Sequence, residues 1–251
     1  MLDIKNLTVS VQEKKVLKDF DLQIADGEIH AIMGPNGVGK STLCKVLMKA
    51  PLYEIVTGEV WWNEKNLAKL SPTEIAREKV YLLNQSPMAI EGVSTAEMLR
   101  MALSENSQDR IDIFAFNKKL EEICKSLDLP NNFVHREINV GMSGGERKKN
   151  ELLQMWVLEP KLILLDEIDS GLDVDALKIV AKSFLEYCEK FHPTVIVITH
   201  HQHLLDYIKP DKVHVLQNGK IVQSGDLTLA KRIENEGFSK PFDISGIKEN
   251  E

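Results

Sequence analysis

The sequence predicts an α/β fold with a mixed sheet at its core, an antiparallel β part at the N-terminus and a helical insert. Two uninterrupted apolar runs, 161–166 and 194–199, are typical of parallel strands buried on both faces. A third apolar run, 29–33, leads directly into a glycine-rich loop. Between residues 88 and 159 apolar side chains recur at helical spacing instead, which predicts the insert.

The N-terminal part is expected to be antiparallel because its residues alternate between apolar and polar. The alternation covers 2–11 and returns at 22–24, and Asp26-Gly27 marks a turn before the next strand. Further strands are expected at 58–63 and 79–85.

The glycine-rich loop fits the phosphate-binding pattern G-x-x-x-x-G-K-[ST], as Gly34-Pro35-Asn36-Gly37-Val38-Gly39-Lys40-Ser41. Its glycines allow backbone N–H groups to converge on phosphate oxygens, and Lys40 adds positive charge. Ser41 offers a hydroxyl to Mg²⁺ at a helix N-terminus. The strand, loop and helix order therefore predicts a P-loop core that binds a nucleoside triphosphate.

The rest of the chain completes one predicted domain over 1–251. Helices are expected at 96–103, 117–127 and 175–189, the last within a right-handed βαβ unit, and a hairpin around Asn218-Gly219. The boundaries divide the domain into a catalytic core (1–87 and 159–238), a helical subdomain (88–158) and a polar, frayed tail (239–251).

The composition argues against several classes of protein. A net charge of −7 disfavours a nucleic-acid-binding surface. No apolar stretch is long enough to span a bilayer, and the N-terminus lacks a signal-peptide pattern. Cys44, Cys124 and Cys188 fit neither a disulfide framework nor a metal-binding spacing. We expect a protein of the cytoplasm, or of a stroma-like organellar compartment if the source is eukaryotic.

Two adjacent acids, Asp166 and Glu167, follow a buried apolar strand. Ligands of open α/β sheets bind at such carboxyl ends. We expect Asp166 to order the Mg²⁺ shell and Glu167 to polarise the attacking water as general base. The alternative is a strand that merely ends in solvated acids.

The segment Ser143-Gly144-Gly145-Glu146 begins a predicted helix and satisfies the capping-box pattern S-x-x-E. Capping does not explain the two glycines, whose N–H groups could bind a second face of the phosphates. Nor does it explain Arg147-Lys148-Lys149, since positive charge opposes the helix dipole there. These residues point to an anion nearby.

Together these motifs resemble those of the ATP-binding-cassette (ABC) ATPases. In that resemblance 143–146 is the signature, Gln85 the Q-loop glutamine, 170–173 the D-loop and His200 the switch histidine. It implies that two subunits sandwich ATP head to tail, each signature contacting the nucleotide held by the other. The active enzyme would be an ATP-dependent homodimer.

The resemblance also implies the complete site. The expected catalytic residues are Lys40, Glu167 and His200, and the expected ligands of Mg²⁺, partly through water, are Ser41, Gln85 and Asp166. The residues expected to bind ATP are Gly34, Pro35, Asn36, Gly37, Val38, Gly39, Lys40, Ser41, Thr42, Gln85, Asp166 and Asp173, with Ser143, Gly144, Gly145 and Glu146 acting in trans.

Two features qualify this assignment, a histidine cluster and the residue at position 11. His200, His201 and His203 could suggest a metal site, but the family pattern selects His200 for the γ-phosphate. Val11 lies where many members carry an aromatic that stacks on adenine, so selectivity for ATP over GTP is expected to be less strict.

Within the family, the stretches 150–155, 166–177 and 205–211 resemble the Suf group. Those ATPases serve iron–sulfur cluster assembly on a scaffold of SufB and SufD. Ile168 and His201 depart from the Suf pattern, and neither contacts phosphate. The resemblance implies that ATP-driven closure of two copies remodels the scaffold, while the chain itself ligates no cluster.

Two alternatives stay open. The same motifs would serve the nucleotide-binding subunit of a membrane importer, which should bind polytopic membrane proteins rather than soluble scaffold subunits. The chain could also be an ATP-gated module that does not hydrolyse ATP, although Glu167 argues against this.

Overall fold

Residues 1–106, 111–199 and 202–238 are described by a computed structural model of the chain. Twelve strands are present in these residues. They are β1 (Leu2–Val11), β2 (Lys14–Ile24), β3 (Ile29–Met33), β4 (Tyr53–Trp62), β5 (Lys65–Asn66), β6 (Val80–Leu83), β7 (Ile90–Ser94), β8 (Glu137–Ile138), β9 (Leu162–Asp166), β10 (Thr194–Ile198), β11 (Lys212–Gln217) and β12 (Lys220–Gly225).

Eight α-helices lie in the same described ranges. They are α1 (Lys40–Leu47), α2 (Pro72–Arg77), α3 (Thr95–Asn106), α4 (Ile113–Ser126), α5 (Gly144–Leu158), α6 (Val174–Phe191), α7 (Gln202–Ile208) and α8 (Leu227–Glu236), with 3₁₀ turns at Leu67–Lys69 and Asn131–His135. The predicted tail, 239–251, lies outside the described residues.

The central sheet has six strands in the order β12-β11-β3-β10-β9-β6. All neighbours are parallel except the hairpin β11–β12, which turns at Asn218-Gly219 as predicted. The unit β9–α6–β10 was also predicted, and its two strands pair directly. The α/β class and the mixed sheet are therefore confirmed.

A second sheet, in the order β2-β1-β4-β5, is fully antiparallel. It contains the alternating N-terminal segments, and the strand expected at 58–63 is the end of the longer β4. The antiparallel part of the prediction is confirmed.

The helical insert holds a feature that the sequence did not indicate. Alongside α3, α4 and α5, the short strands β7 and β8 form a two-stranded antiparallel sheet. Helical periodicity correctly indicated α3 and α4. A two-residue strand such as β8 is too short to leave a period of two in the sequence.

Residues of β9 and β10 alternate between two hydrophobic cores. Ile163 and Val195 point to a core shared with the helices α4–α8, whereas Leu164 and Ile196 point to one shared with α1 and the antiparallel sheet. The central sheet is therefore buried on both faces, as the apolar runs predicted. Burial on both faces holds the carboxyl ends of β3 and β9 in place. The glycine-rich loop follows β3, and the acid pair lies at the end of β9.

Two buried histidines form a side-chain hydrogen bond between neighbouring strands of the central sheet. His30 on β3 and His214 on β11 lie with Nδ1 and Nε2 3.0 Å apart. The hydrogen-bonded series extends from His30 Nε2 to Glu28 Oε2 at 3.0 Å and from His214 Nδ1 to Ser224 Oγ at 2.7 Å. Burial, and then the nearby His30 and Lys212, lower the pKa of His214 to about 4.

This pKa shift predicts acid sensitivity. In the native state His214 stays neutral at pH values where the same residue of the unfolded chain is protonated. Its contribution to the free energy of unfolding is therefore complete above pH 6.5 and is lost as the pH falls toward 4. The loss at pH 5 is about 2 kcal/mol. Urea unfolding from pH 7 to 5 should show this fall in the free energy of unfolding. His214→Gln should flatten it, whereas His135→Gln, at an exposed position, should leave it unchanged; equal slopes in all three proteins would contradict the prediction.

Candidate active site

The glycine-rich loop joins β3 to α1, and glycine is required at two of its positions, at Gly34 by packing and at Gly39 by the backbone conformation. A Cβ on Gly34 would lie 2.3 Å from the carbonyl oxygen of Leu216, and one on Gly39 would lie 2.8 Å from Leu17 Cδ2. Gly39 has φ 111° and is the N-cap of α1, where no side chain caps the helix. The first N–H groups of α1 therefore remain directed at the loop, as a phosphate site requires.

Lys40 is the first residue of α1, and its side chain turns back over the loop. Its Nζ donates hydrogen bonds to the carbonyl oxygens of Gly34 at 2.8 Å and Pro35 at 3.0 Å. Burial lowers the pKa of Lys40, partly opposed by the charges of Glu167 and Asp166. The ammonium is held in the mouth of the loop, facing both acids.

Asp166 ends β9 and lies beside the start of α1. Ser41 Oγ donates a 2.8 Å hydrogen bond to Asp166 Oδ1. Burial raises the pKa of Asp166, and the bond from Ser41 opposes that rise. A hydroxyl beside a carboxylate is a hard-oxygen pair that suits Mg²⁺, which is commonly held by one or two protein groups together with substrate phosphates.

Glu167 takes a different direction from its neighbour. Its backbone has φ 48°, an uncommon conformation for a residue with a side chain, and its N–H donates to Ile198 O at 2.9 Å. Its carboxylate accepts a 2.7 Å hydrogen bond from Gln85 Nε2. The side chain of Glu167 is therefore oriented by Gln85, the second residue after β6.

Lys40, Ser41, Gln85 and Glu167 line one cleft of about 420 Å³, and Asp166 lies behind Ser41. The lining residues are Asn36, Gly37, Gly39, Lys40, Ser41, Thr42, Gln85, Glu167 and Ser170. Residues far apart in the chain thus meet around the glycine-rich loop. Ser170 is the one lining residue that the predicted site omitted, although it lies in the predicted D-loop.

The signature segment 143–146 is not among the residues lining the cleft. Its capping box is present: Ser143 is the N-cap of α5, its Oγ accepts from the N–H of Glu146 at 3.2 Å, and its own N–H donates to Glu146 Oε2 at 2.8 Å. A Cβ on Gly144 or Gly145 would meet its nearest neighbours at 3.4 and 3.6 Å, which is ordinary contact. Packing within this chain therefore does not demand glycine at either position.

The three cations after the signature have partners inside the chain, so they give no independent support for the predicted anion. Arg147 Nε donates to Met142 O at 3.0 Å, and Lys149 Nζ donates to Asp128 O at 3.2 Å. Lys148 is buried and pairs with Glu151 at 3.1 Å. Helix position alone does not reveal these partners, because Met142 precedes α5, Glu151 lies one turn further along it and Asp128 lies on another segment.

Other predicted residues lie elsewhere. Asp173 is the N-cap of α6, with Oδ1 accepting from the N–H of Ala176 at 2.7 Å, and it does not line the cleft. Val11 ends β1 at a half-buried position. The switch histidine His200 and its neighbour His201 lie outside the described residues, as does the side chain of His203.

The fold and this cleft define a P-loop ATPase. The profile of the ABC transporter family matches residues 17–170, and the chain belongs to that family. It is 47% identical to the probable ATP-dependent transporter SufC of Escherichia coli K12 over 95% of this chain and 97% of that protein. It is 45% identical to a probable ABC transporter ATP-binding protein of Streptococcus pyogenes serotype M18, over 100% and 98% respectively.

A solved structure shows the same fold. The dimeric structure of a bacterial ABC transporter cassette matches 90% of this chain and 99% of its own, with a TM-score of 0.78 and 24% identity. In the part of the chain that the structure describes, no helix is long and apolar enough to cross a membrane.

Proposed function

We propose that this cleft hydrolyses ATP with Mg²⁺ and that the chain is the ATPase subunit of a Suf-type iron–sulfur cluster assembly complex. The observation that carries the chemical part is the meeting of Lys40, Ser41, Asp166 and Glu167 around one loop. Ser41 and Asp166 would hold Mg²⁺, with Gln85 at its edge. Bound there, Mg²⁺ would neutralise phosphate charge.

The reaction follows from the positions of the side chains. Backbone N–H groups of the loop and the Lys40 ammonium bind the β- and γ-phosphates. Glu167 accepts a proton from the water that attacks the γ-phosphorus, while the bond from that phosphorus to the bridging oxygen breaks. Gln85, 2.7 Å from Glu167, orients that carboxylate. We keep His200 as the predicted contact to the γ-phosphate.

Two subunits would form the complete site. The signature of one chain lies outside its own cleft, and its glycines are not explained by packing in that chain. Both facts support a signature that contacts ATP in a second copy. Asp173 would contribute at that interface by fixing the start of α6.

The Suf assignment rests on the 47% identity over 95% of the chain and on the stretches that resemble the Suf group. Its partners would be the SufB and SufD scaffold subunits, and its compartment the cytoplasm. The streptococcal relative, whose name is that of a transporter's ATP-binding protein, favours a second candidate, the importer subunit.

Co-purification tests the choice. The tagged chain is expressed with its native neighbours and isolated without detergent, and ATPase activity is measured with and without the co-purifying subunits. Soluble SufB- and SufD-like subunits that raise the rate are the expected result. Partners found only in the membrane fraction would assign the chain to an importer instead.

A further inference from the structure

The residues on both sides of Gln85 are tied to α5, the helix that begins at the signature. Asn84 directly follows β6, whose last pairing with β9 is at Leu83, so its peptide groups lie just beyond the sheet. The N–H of Asn84 donates to Glu151 Oε1 at 2.9 Å, and its carbonyl oxygen accepts from Lys148 Nζ. Two side chains of α5 therefore hold both peptide groups of one residue.

Lys148 and Glu151 also form an ion pair with each other, so the two side chains and the Asn84 peptide groups make a closed ring of contacts. Their charged groups lie 3.1 Å apart, and their side chains are only 3% and 6% exposed. Burial raises the pKa of Glu151 to about 7, although Lys148 and the Asn84 N–H favour the carboxylate. An ion pair so buried adds little net stability compared with well-packed apolar residues, but removing one partner leaves a costly unpaired charge.

A second set of contacts holds the far side of the same loop. Asn139 Nδ2 donates to the carbonyl oxygen of Met88 at 2.8 Å, and Asn139 Oδ1 accepts from Asn150 Nδ2 at 3.1 Å. Asn150 in turn accepts from Thr95 Oγ1 at 3.1 Å, and all three of these polar residues are buried. The loop 84–88 is therefore bound to α5 directly at Asn84 and, through Asn139, at Met88.

We infer that Lys148 and Glu151 are positioning residues for the hydrolytic reaction, acting through the Asn84 peptide to hold Gln85 against Glu167. The inference rests on the proposed role of Glu167. Lys148 and Glu151 lie on α5, the helix whose first turn is the signature. They therefore connect the signature, which would contact the ATP of the partner, with Gln85, which would contact the ATP of the same chain. A shift of α5 at the signature would move Asn84, and with it the Gln85 side chain.

The first test replaces the pair rather than one member. Lys148→Met with Glu151→Leu removes the ring without stranding a buried charge, so the protein should fold. Its apparent Tm should fall modestly, because the N–H and carbonyl groups of Asn84 lose their partners. The kcat for ATP hydrolysis is expected to fall at least about tenfold, since small misplacements of catalytic groups have effects of this size. KM and the nucleotide Kd should stay within about twofold, because the phosphate loop is untouched.

Non-additivity separates positioning from general structural damage. If the pair acts through Gln85, then adding Gln85→Ala to the double variant should lower kcat no further than Gln85→Ala alone. Glu151→Gln, which keeps an oxygen for the Asn84 N–H, should retain more activity than Glu151→Ala. This single-site series also serves if the double variant folds poorly.

A double variant with wild-type kcat, or losses that multiply with that of Gln85→Ala, would overturn the inference. The proposed base is judged separately from Glu167→Gln in the same assay. Wild-type turnover in that variant would refute the role of Glu167, whereas abolished turnover there with full activity in the Lys148–Glu151 variant would refute only the positioning role.

Discussion

Glu167→Gln is expected to lower the ATP turnover number by about a hundredfold or more, because a positioned general base contributes about 10²–10⁴ to the rate. The replacement is nearly isosteric, and its amide oxygen can still accept the bond that Gln85 Nε2 gives to Glu167 at 2.7 Å. Only the ability to take a proton is lost. ATP should therefore bind normally and remain uncleaved.

The measurement is single-turnover release of phosphate, together with analysis of the nucleotide that stays bound to the variant. Glu64→Gln, at an exposed turn position, makes the same chemical change away from the cleft and should keep wild-type turnover. If Glu167→Gln released phosphate as fast as the wild type, another group would have to be the base.

Lys40→Met is expected to have the second large effect. The variant keeps most of the apolar stem but loses the charge that interacts with Glu167 and Asp166. A hydrogen bond to a charged group is worth about 1.5–3 kcal/mol, so ATP affinity should fall about 10–100-fold. Turnover should fall further, since Lys40 would also stabilise charge that develops during phosphoryl transfer.

Equilibrium binding and steady-state hydrolysis would measure the two effects separately. Lys45→Met is the matched control because Lys45 lies on the same helix, where its Nζ is 5.6 Å from the ring centre of Tyr53, and it does not line the cleft. Loss of ATP binding in both variants would indicate damage to α1 rather than loss of a phosphate contact.

Features encoded in short stretches of sequence were predictable. The glycine-rich loop lies between β3 and α1 as its pattern required, and the hairpin at Asn218-Gly219 has the expected turn. The meeting of Ser41 with Asp166 followed from a general rule, since carboxyl ends of parallel strands share one edge of a sheet. The roles of these residues stay predictions, as do the boundaries of the helical subdomain.

Features that depend on distant partners were not predictable. Lys148 and Lys149 looked uncompensated because the carbonyl oxygens of Asn84 and Asp128 that accept from them belong to other parts of the chain. The buried pair of His30 and His214 was missed because each stands in an otherwise apolar run. A charged residue on the buried side of α5, as Glu151 is, could have been noticed from helical spacing alone.

The capping box at Ser143 and Glu146 has a kinetic consequence. Both members of that turn are held by reciprocal bonds within their own chain, so the turn has a fixed shape before a second subunit arrives. A surface that is already ordered loses little conformational entropy when it is covered. In the dimer proposed above, pairing should therefore be limited by encounter of the subunits and by nucleotide binding, without a slow folding step at the signature.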